Sequence, residues 1–248
     1  MSNIHIISDL HLSQDRADLT ALFSKYMDAF AIKSEKLYVL GDLFEVWTGD
    51  DCLVNDSSEE NAAFYQTVID KFKNYSDNIG DLYFIHGNRD FLLGEEFEKL
   101  TGGQILSEPL FFNHNGKKTA LMHGDILCTD DKEYQQFRKM VRNPAWQKEF
   151  LSLSKEKRIE IATGLREQSK DAQKGKTSDI MDVNQDSVIE FIKDNDIEQL
   201  IHGHTHRQDT HHLEIGMKKT TRHVLADWGD KGFYLELNNC KIINNYFP

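Results

Sequence analysis

The sequence predicts an α/β fold, in which central, partly parallel strands are covered by helices. Strand-like apolar runs alternate with segments of helical periodicity, and 39% of the residues are hydrophobic. A chain of 248 residues fits one large domain with an insertion better than two small domains. This composition supports a packed core and argues against wholesale disorder.

Strands and helices are predicted in order from local patterns. Short runs rich in β-branched, aliphatic and aromatic residues predict five strands, at Ile4–Ile7, Lys36–Leu40, Leu82–Ile85, Thr119–Met122 and Gln199–Ile201. Apolar residues at helical spacing predict four helices among them, at Leu19–Ala31, Glu59–Tyr75, Glu95–Leu100 and Val183–Lys193. Alternating stretches near the end predict antiparallel strands, at Thr220–Leu225, Gly232–Leu237 and Lys241–Tyr246.

Residues 132–180 interrupt this alternation. Tyr134, Phe137 and Val141 recur at helical spacing, and a similar apolar pattern follows around Ile159. We therefore predict a single domain over residues 1–248 with a helical insertion at 132–180. The insertion could be a helical layer packed on the sheet or a lid over the site, and the sequence alone leaves both open.

The chain is acidic overall, but its charge is unevenly distributed along the sequence. The net charge is −12, which argues against a general nucleic-acid binder because such proteins neutralise phosphates with clustered Lys and Arg. Between Lys132 and Lys176, however, the net charge is +6. This basic segment suggests contact with an anionic ligand or surface, and a solvated helix face is the alternative.

Cysteine usage and hydropathy bear on the compartment. The chain has 3 cysteines without CxxC spacing, which argues against a disulfide framework. No apolar run approaches the ~18 residues that a membrane span requires, and the first residues lack the pattern of a targeting segment. We expect a soluble, reduced, cytosolic protein.

Polar residues follow each of the first five predicted strands. In chain order they are Asp9 and His11, Asp42 and Glu45, Asn88 and Arg89, His123, and His204 and His206. Because ligands in α/β sheets bind beyond the carboxyl ends of strands, we expect these side chains to converge. The two-residue spacing of Asp9 and His11 would place both on one side of an extended segment, and the same holds for His204 and His206.

The residue types predict a centre for two divalent cations. Carboxylate, amide and imidazole groups suit hydrated divalent ions, and the seven of these residues other than Glu45 and Arg89 are too many for one four-coordinate structural zinc. They fit two ions that share one carboxylate, an arrangement used for in-line attack on phosphorus. Each motif alone is weak, since Gly with Asp or Asn is common in turns. All five together, each at a strand end, make chance an unsatisfactory explanation.

These motifs resemble those of the calcineurin-like metallophosphoesterases, whose signature runs DxH, GDxx(D/E), GNH(D/E), a His followed by Gly, and GHxH. The resemblance covers most of the chain and implies a sandwich of two mixed β-sheets flanked by helices. It further implies two ions, with Asp42 as the shared ligand. The first ion would be held by Asp9, His11, Asp42 and His206. The second would be held by Asp42, Asn88, His123 and His204.

One departure from the superfamily pattern narrows the activity. Arg89 stands where a His usually follows Gly-Asn, which makes protein phosphatases and cyclic-nucleotide phosphodiesterases poorer matches. The longer strings at 41–51, 87–94 and 123–131 are similar to a bacterial subfamily that acts on UDP-2,3-diacylglucosamine in lipid A biosynthesis. Its members release UMP and leave 2,3-diacylglucosamine 1-phosphate.

The subfamily resemblance also implies how the substrate and the cell surface would be contacted. Substrate contacts would come from Asn88, Arg89, Asp131, Ser169, Gln173, Lys176 and His204. Gln173 replaces an expected Asn. Two Mn²⁺ per chain are implied, as is peripheral attachment to the anionic cytoplasmic face of the inner membrane. No nucleic-acid partner and no obligate protein partner are expected.

The implied reaction is attack of metal-bound hydroxide on the uridine-side phosphorus, since coordination lowers the pKa of water towards ~7. Two other functions remain open from the sequence. The same ions could serve a broad-specificity phosphoesterase or nuclease, and the fold could serve as a non-catalytic scaffold. Scaffolds tend to lose metal ligands, and all seven expected ligands are present here.

Overall fold

The computed structural model describes residues 3–53, 59–174, 180–239 and 241–248, with only the backbone described at 59–60 and 168–174. Seven α-helices occur among these residues. They are α1 (Ala17–Ala29), α2 (Glu59–Asn78), α3 (Glu95–Thr101), α4 (Lys132–Val141), α5 (Pro144–Leu151), α6 (Lys155–Lys174) and α7 (Gln185–Asn195). None of the described helices is long and apolar enough to cross a membrane.

The first sheet is mixed and has six strands. In spatial order they are β11 (Ile242–Phe247), β10 (Gly232–Leu237), β1 (Ile4–Ile7), β2 (Lys36–Leu40), β3 (Asp81–Ile85) and β4 (Gln104–Leu106). Strands β1 to β4 are parallel, and β10 is antiparallel to both β1 and β11.

The second sheet is also mixed and has five strands. In spatial order they are β5 (Leu110–His114), β6 (Lys117–Met122), β7 (Gln199–His202), β9 (Lys218–Val224) and β8 (Asp209–Ile215). Strands β6, β7 and β9 are parallel, while β5 and β8 pair antiparallel at the two edges. The expectation of two mixed β-sheets flanked by helices is therefore confirmed.

Alternation along each central strand builds the layers. In β2, Tyr38 and Leu40 belong to the core between the two sheets, whereas Leu37 and Val39 pack against the helices on the outer face. Strand β7 repeats this pattern, because Ile201 joins the inter-sheet core and Leu200 packs with residues of α7. Because both faces of β2 are buried, its residues 37–40 form a continuous apolar run in the sequence.

Most predicted elements are confirmed, and the strands that were not predicted are at sheet edges. Strands β4, β5 and β8 were not predicted, because β4 has only three residues, β5 exposes Phe111 and Asn113 and ends in polar residues, and β8 alternates with exposed polar side chains. The prediction that the late strands are all antiparallel is wrong in one respect. Strand β9 is antiparallel to β8 but parallel to β7.

Helices α4, α5 and α6 occupy the segment that interrupts the alternation, and its four arginines all turn towards the rest of the protein. Arg138 donates to Asp125 and Glu108, and Arg142 donates to backbone carbonyls at His86 and Gly87. The other two also bond to core loops, with Arg158 donating to Thr48 and Asp51 and Arg166 donating to Glu45. The arginines of the basic segment therefore anchor its helices.

Candidate functional site

The carboxyl ends of strands from both sheets meet at one place, and the predicted ligands lie there. Asp9, Asp42 and Asn88 follow β1, β2 and β3, whereas His123 follows β6 and His204 follows β7. Two clusters of possible metal ligands result, in each of which the ligand atoms lie within 4.8 Å of one another. Their members are Asp9, His11 and His206 in the first cluster, and Asp42, His123 and His204 in the second.

The first cluster is organised around the buried carboxylate of Asp9. His206 Nε2 lies 3.4 Å from Asp9 Oδ1 and 3.2 Å from His11 Nε2. Two further donors hold the carboxylate, namely the Ser8 hydroxyl at 2.5 Å and the backbone N–H of His204 at 3.0 Å. Asp9 is therefore fixed in position while its neighbours present ring nitrogens to the same point.

The second cluster includes Asn88 as well as the three residues already named. Asn88 Oδ1 lies 2.9 Å from His123 Nε2 and 2.8 Å from His204 Nδ1. Asp42 faces both clusters, because its Oδ1 is 3.8 Å from His123 Nε2 and its Oδ2 is 3.9 Å from His11 Nε2. Asp42 therefore lies between the two clusters.

Backbone conformation corrects one argument from the sequence. Asp9, His11, Asp42, His204 and His206 all have positive φ, between 50° and 70°. These residues are in the left-handed region. The segments that carry Asp9 with His11 and His204 with His206 are therefore not extended, and the expectation based on an extended segment does not apply. Non-glycine residues rarely adopt this conformation, although Asp and His tolerate it better than most. Such strain concentrates at functional sites, where the surrounding structure maintains it.

Two glycines of the motifs are required by close approach. A Cβ at Gly87 would lie 2.2 Å from the backbone nitrogen of Asp42, and a Cβ at Gly203 would lie 2.2 Å from Asp9 Oδ2. Any side chain at either position would displace a ligand. Gly41 differs from these two, because its φ of 83° is a backbone conformation that favours glycine.

A second layer of residues orients the ligands. Glu45 Oε2 lies 2.7 Å from His11 Nδ1, the carbonyl oxygen of Leu40 is 2.8 Å from His123 Nδ1, and Asp227 is 3.5 Å from His206 Nδ1. Such partners fix which ring nitrogen faces the centre. Of these three partners, only Glu45 belongs to a motif that is visible in the sequence, and the other two carry no signal in spacing.

Asp90 is a further residue whose role the sequence did not reveal. Its side chain is fully buried and accepts backbone N–H bonds from Gly87 at 2.8 Å, Leu43 at 2.8 Å and Asp42 at 3.3 Å. It therefore ties the loop after β2 to the loop after β3. Its position two residues after Asn88 in the third motif was the only available signal.

The electrostatics of the cluster suit a cation. Burial opposes ionisation of Asp9, but the hydrogen bond from His206 and the charge of His123 hold the pKa of Asp9 below its ordinary value. Burial also opposes a charge on His123, yet Asp42 and Asp125 raise its pKa to about 9. The pKa of His204 is lowered to about 3 by burial and by His123.

A divalent cation in each cluster fits these residues. In both clusters two ring nitrogens face each other at 3.2 Å beside a buried carboxylate. A cation would satisfy nitrogens and carboxylate together, and oxygen with imidazole is a donor set for ions such as Mn²⁺ or Zn²⁺. The structure thus fits two metal ions, without identifying the element.

A cleft of about 570 Å³ opens from the metal centre. It is lined beside the two clusters by His11, Asp42, Asn88, Arg89, His204 and His206, and the Arg89 Nε is buried with no hydrogen-bond partner among the described residues. The remaining walls are largely apolar, and helices α4, α5 and α6 supply much of them. Representative residues are Trp47, Phe91, Phe137, Trp146, Phe150 and Leu165.

The other predicted substrate contacts are only partly described. Asp131 lines the cleft and also caps α4 by accepting the N–H of Tyr134 at 3.1 Å. Ser169 and Gln173 are on the backbone of α6, and their side chains lie outside the described part of the chain. Lys176 lies outside the described residues altogether.

Comparison with known proteins gives a consistent picture. The family model described as calcineurin-like phosphoesterase matches residues 2–208. The chain is 44% identical to a UDP-2,3-diacylglucosamine hydrolase of Haemophilus influenzae, covering 92% of this chain and 91% of that protein. It is 42% identical to proteins of the same name from Chromohalobacter salexigens, over 90% and 87% of the two chains, and from Shewanella pealeana, over 94% and 92%.

We predict that Asp90→Ala destabilises both the fold and the metal centre. Three buried N–H groups would lose their acceptor, at about 1–3 kcal/mol each, so the free energy of unfolding should fall by at least about 3 kcal/mol. Metal affinity should fall roughly 10–100-fold, because Asp42 would lose its support. Urea unfolding and Mn²⁺ titration measure these effects, with the exposed Asp15→Ala as control. A loss below about 1 kcal/mol would contradict this role.

Proposed function

Because this chain belongs to the calcineurin-like phosphoesterase family, we propose that it hydrolyses the diphosphate of UDP-2,3-diacylglucosamine. The products would be UMP and 2,3-diacylglucosamine 1-phosphate, in lipid A biosynthesis. One observation carries this proposal. A two-cluster metal centre and an apolar cleft share one opening, which suits a substrate with a diphosphate joined to acyl chains.

The proposed cofactors are two Mn²⁺ ions. Asp9, His11, Asp42 and His206 would hold one ion, and Asp42, Asn88, His123 and His204 would hold the other. When bound, the ions would lower the pKa of water and offset negative charge on the phosphoryl oxygens. The assignment of Mn²⁺ rather than another divalent ion rests on the resemblance described above, since the donor set alone admits several metals.

The protein's own residues would position the diphosphate. Arg89 stands beside the centre with its Nε buried and without a partner among the described residues, so a phosphate oxygen could accept from it. Its guanidinium is always charged and can bind phosphate through two donors, which a neutral His cannot do. Asp131, Ser169, Gln173 and Lys176 are proposed as further substrate contacts.

The acyl chains would lie against the apolar walls of the cleft. Phe137, Trp146, Phe150 and Leu165 face it from the insertion, opposite Trp47. Burial of each CH₂ is worth about 0.8 kcal/mol, so even a partly enclosed chain contributes substantially to affinity. We accordingly propose that the insertion at 132–180 is a lid within a single domain over 1–248.

Attachment to the anionic cytoplasmic face of the inner membrane is proposed for the outer surface of the insertion. Met140, Leu151, Leu153 and Ile159 are exposed there, together with Lys139, Lys148 and Lys157. Apolar groups beside lysines are what an interfacial surface requires. Arg138 and Arg142 are not part of this surface, because both bond to core loops.

The activity is tested by UMP release from UDP-2,3-diacylglucosamine with added Mn²⁺. We expect turnover of this lipid to exceed turnover of bis-p-nitrophenyl phosphate or single-stranded DNA. Asp42→Ala should lose nearly all activity, since it removes a ligand from both ions, whereas Asp15→Ala should behave as wild type. Preference for the nitrophenyl ester or DNA would favour a broad-specificity phosphoesterase. More than about a tenth of activity in Asp42→Ala would count against two metals.

Arg89 gives a prediction about how the diphosphate is held. Arg89→Ala should lose roughly 2–5 kcal/mol of transition-state stabilisation, because a desolvated charge pair would be broken. Arg89→Lys should recover only part of this stabilisation, since an ammonium cannot bind phosphate through two parallel donors. Steady-state kcat/KM for UMP release measures both. If Arg89→His turned over the lipid faster than wild type, the proposed role would be wrong.

The membrane surface gives a separate prediction. Changing Lys139, Lys148 and Lys157 together to Gln should weaken low-salt binding to vesicles containing phosphatidylglycerol by roughly a hundredfold, at about 1 kcal/mol per lysine. Co-sedimentation measures binding. The matched control changes Lys99, Lys193 and Lys231, which are exposed elsewhere. Equal binding of both triple variants would show that the insertion serves the substrate and not the membrane.

A further inference from the structure

A second cavity, of about 430 Å³, lies at the far end of the second sheet from the metal centre. Lys117 and Gln199 line it, and they are the first residues of β6 and β7. The same two strands end beside His123 and His204. Since β6 and β7 are parallel, the cavity and the metal centre are at opposite ends of these strands.

The walls of this cavity are polar although they belong to the inner face of a β-sandwich. Gln199 pairs with Thr221, and Thr221 pairs with His212, so the three form one row across β7, β9 and β8. Ile201, two residues after Gln199, belongs to the inter-sheet core, so this row faces the same layer. An apolar core would continue here if its only role were packing, because polar groups are costly to bury without partners.

The charge of the cavity favours an anion. Lys117 and Lys241 line it with His114, His212 and His223, and no carboxylate is among the described lining residues. This is unusual in a chain with a net charge of −12. The surroundings of His223 report the same positive potential, since burial and the charges of His212 and Lys117 lower its pKa to about 4.

His114 adds an unsatisfied polar atom to the lining. Its side chain is only 7% exposed, and its Nε2 lies 2.9 Å from the carbonyl oxygen of Asn238. Its Nδ1 is buried without a hydrogen-bond partner among the described residues. Buried polar atoms in native proteins are normally paired, so this nitrogen is available to a ligand or to water.

We propose that this cavity is a second binding site, for a phosphate monoester on a hydroxylated body such as a sugar phosphate or a nucleoside monophosphate. Lys117 and Lys241 would bind the phosphate, and His114, Gln199 and Thr221 would contact hydroxyl or base groups. The volume falls within the range of small-molecule pockets and exceeds what inorganic phosphate alone would fill. The proposal is independent of the chemistry at the metal centre.

Isothermal titration of the purified protein with glucose 6-phosphate and with UMP tests this site. The informative variant is Lys117→Gln with Lys241→Gln, because both lysines are exposed and their loss should not disturb folding. Lys99→Gln with Lys193→Gln removes the same charge elsewhere on the surface. A third variant, Arg89→Ala, shows whether the ligand binds at the metal centre, because binding there should weaken when Arg89 is removed.

At least one of the two ligands should bind with a dissociation constant near or below about 1 mM. That binding should weaken at least tenfold in the Lys117/Lys241 variant and remain unchanged in the Lys99/Lys193 variant. Any additional UMP that binds at the metal centre should be lost in Arg89→Ala, without loss of the binding that depends on Lys117 and Lys241. A response to only one ligand would identify the body that the site accepts. Three results would overturn the proposal: no binding of either ligand up to about 10 mM, loss only in Arg89→Ala, or equal weakening in both lysine variants.

Discussion

The carboxylate of Asp42 is the contact on which the site depends. It is 2% exposed, where the loop after β2 of the first sheet meets His123 at the end of β6 in the second sheet. Its two oxygens face the two ligand clusters, and its Oδ1 also accepts the N–H of Arg89 at 2.8 Å. The relative position of the two sheets therefore determines whether both clusters can form, and Asp42 of the second cluster also faces His11 of the first.

Holding that carboxylate requires strain and exact packing. Five ligand residues adopt left-handed backbone conformations, and the loops pack so closely that Gly87 and Gly203 admit no side chain. Asp90 holds the loops after β2 and β3 together, because its carboxylate accepts three backbone N–H bonds from them. Helix α6 reaches the same centre, because its Arg166 pairs with Glu45, and Glu45 in turn contacts His11. Movement of α6 would therefore change the position of His11, a candidate metal ligand.

Much of the fold and the two clusters of candidate ligands could be predicted from the sequence, because central strands and strand-end motifs leave local patterns. Strand β2 was predicted to the residue, whereas the polar edge strand β8 was not, since its pairing depends on a distant partner. Asp90, Asp227 and the cavity near His114 could not be predicted either. The roles of these residues and the presence of this cavity depend on how loops or sheets pack together, and residue spacing in the sequence does not show that packing.

The most direct measurement is anomalous diffraction from crystals grown with Mn²⁺. The account predicts two anomalous peaks about 3.5–4 Å apart, both in contact with Asp42, with Asp9, His11 and His206 around one and Asn88, His123 and His204 around the other. In crystals of Asp42→Ala both peaks should weaken together. A single peak in the wild-type protein, or two peaks that share no carboxylate, would contradict it.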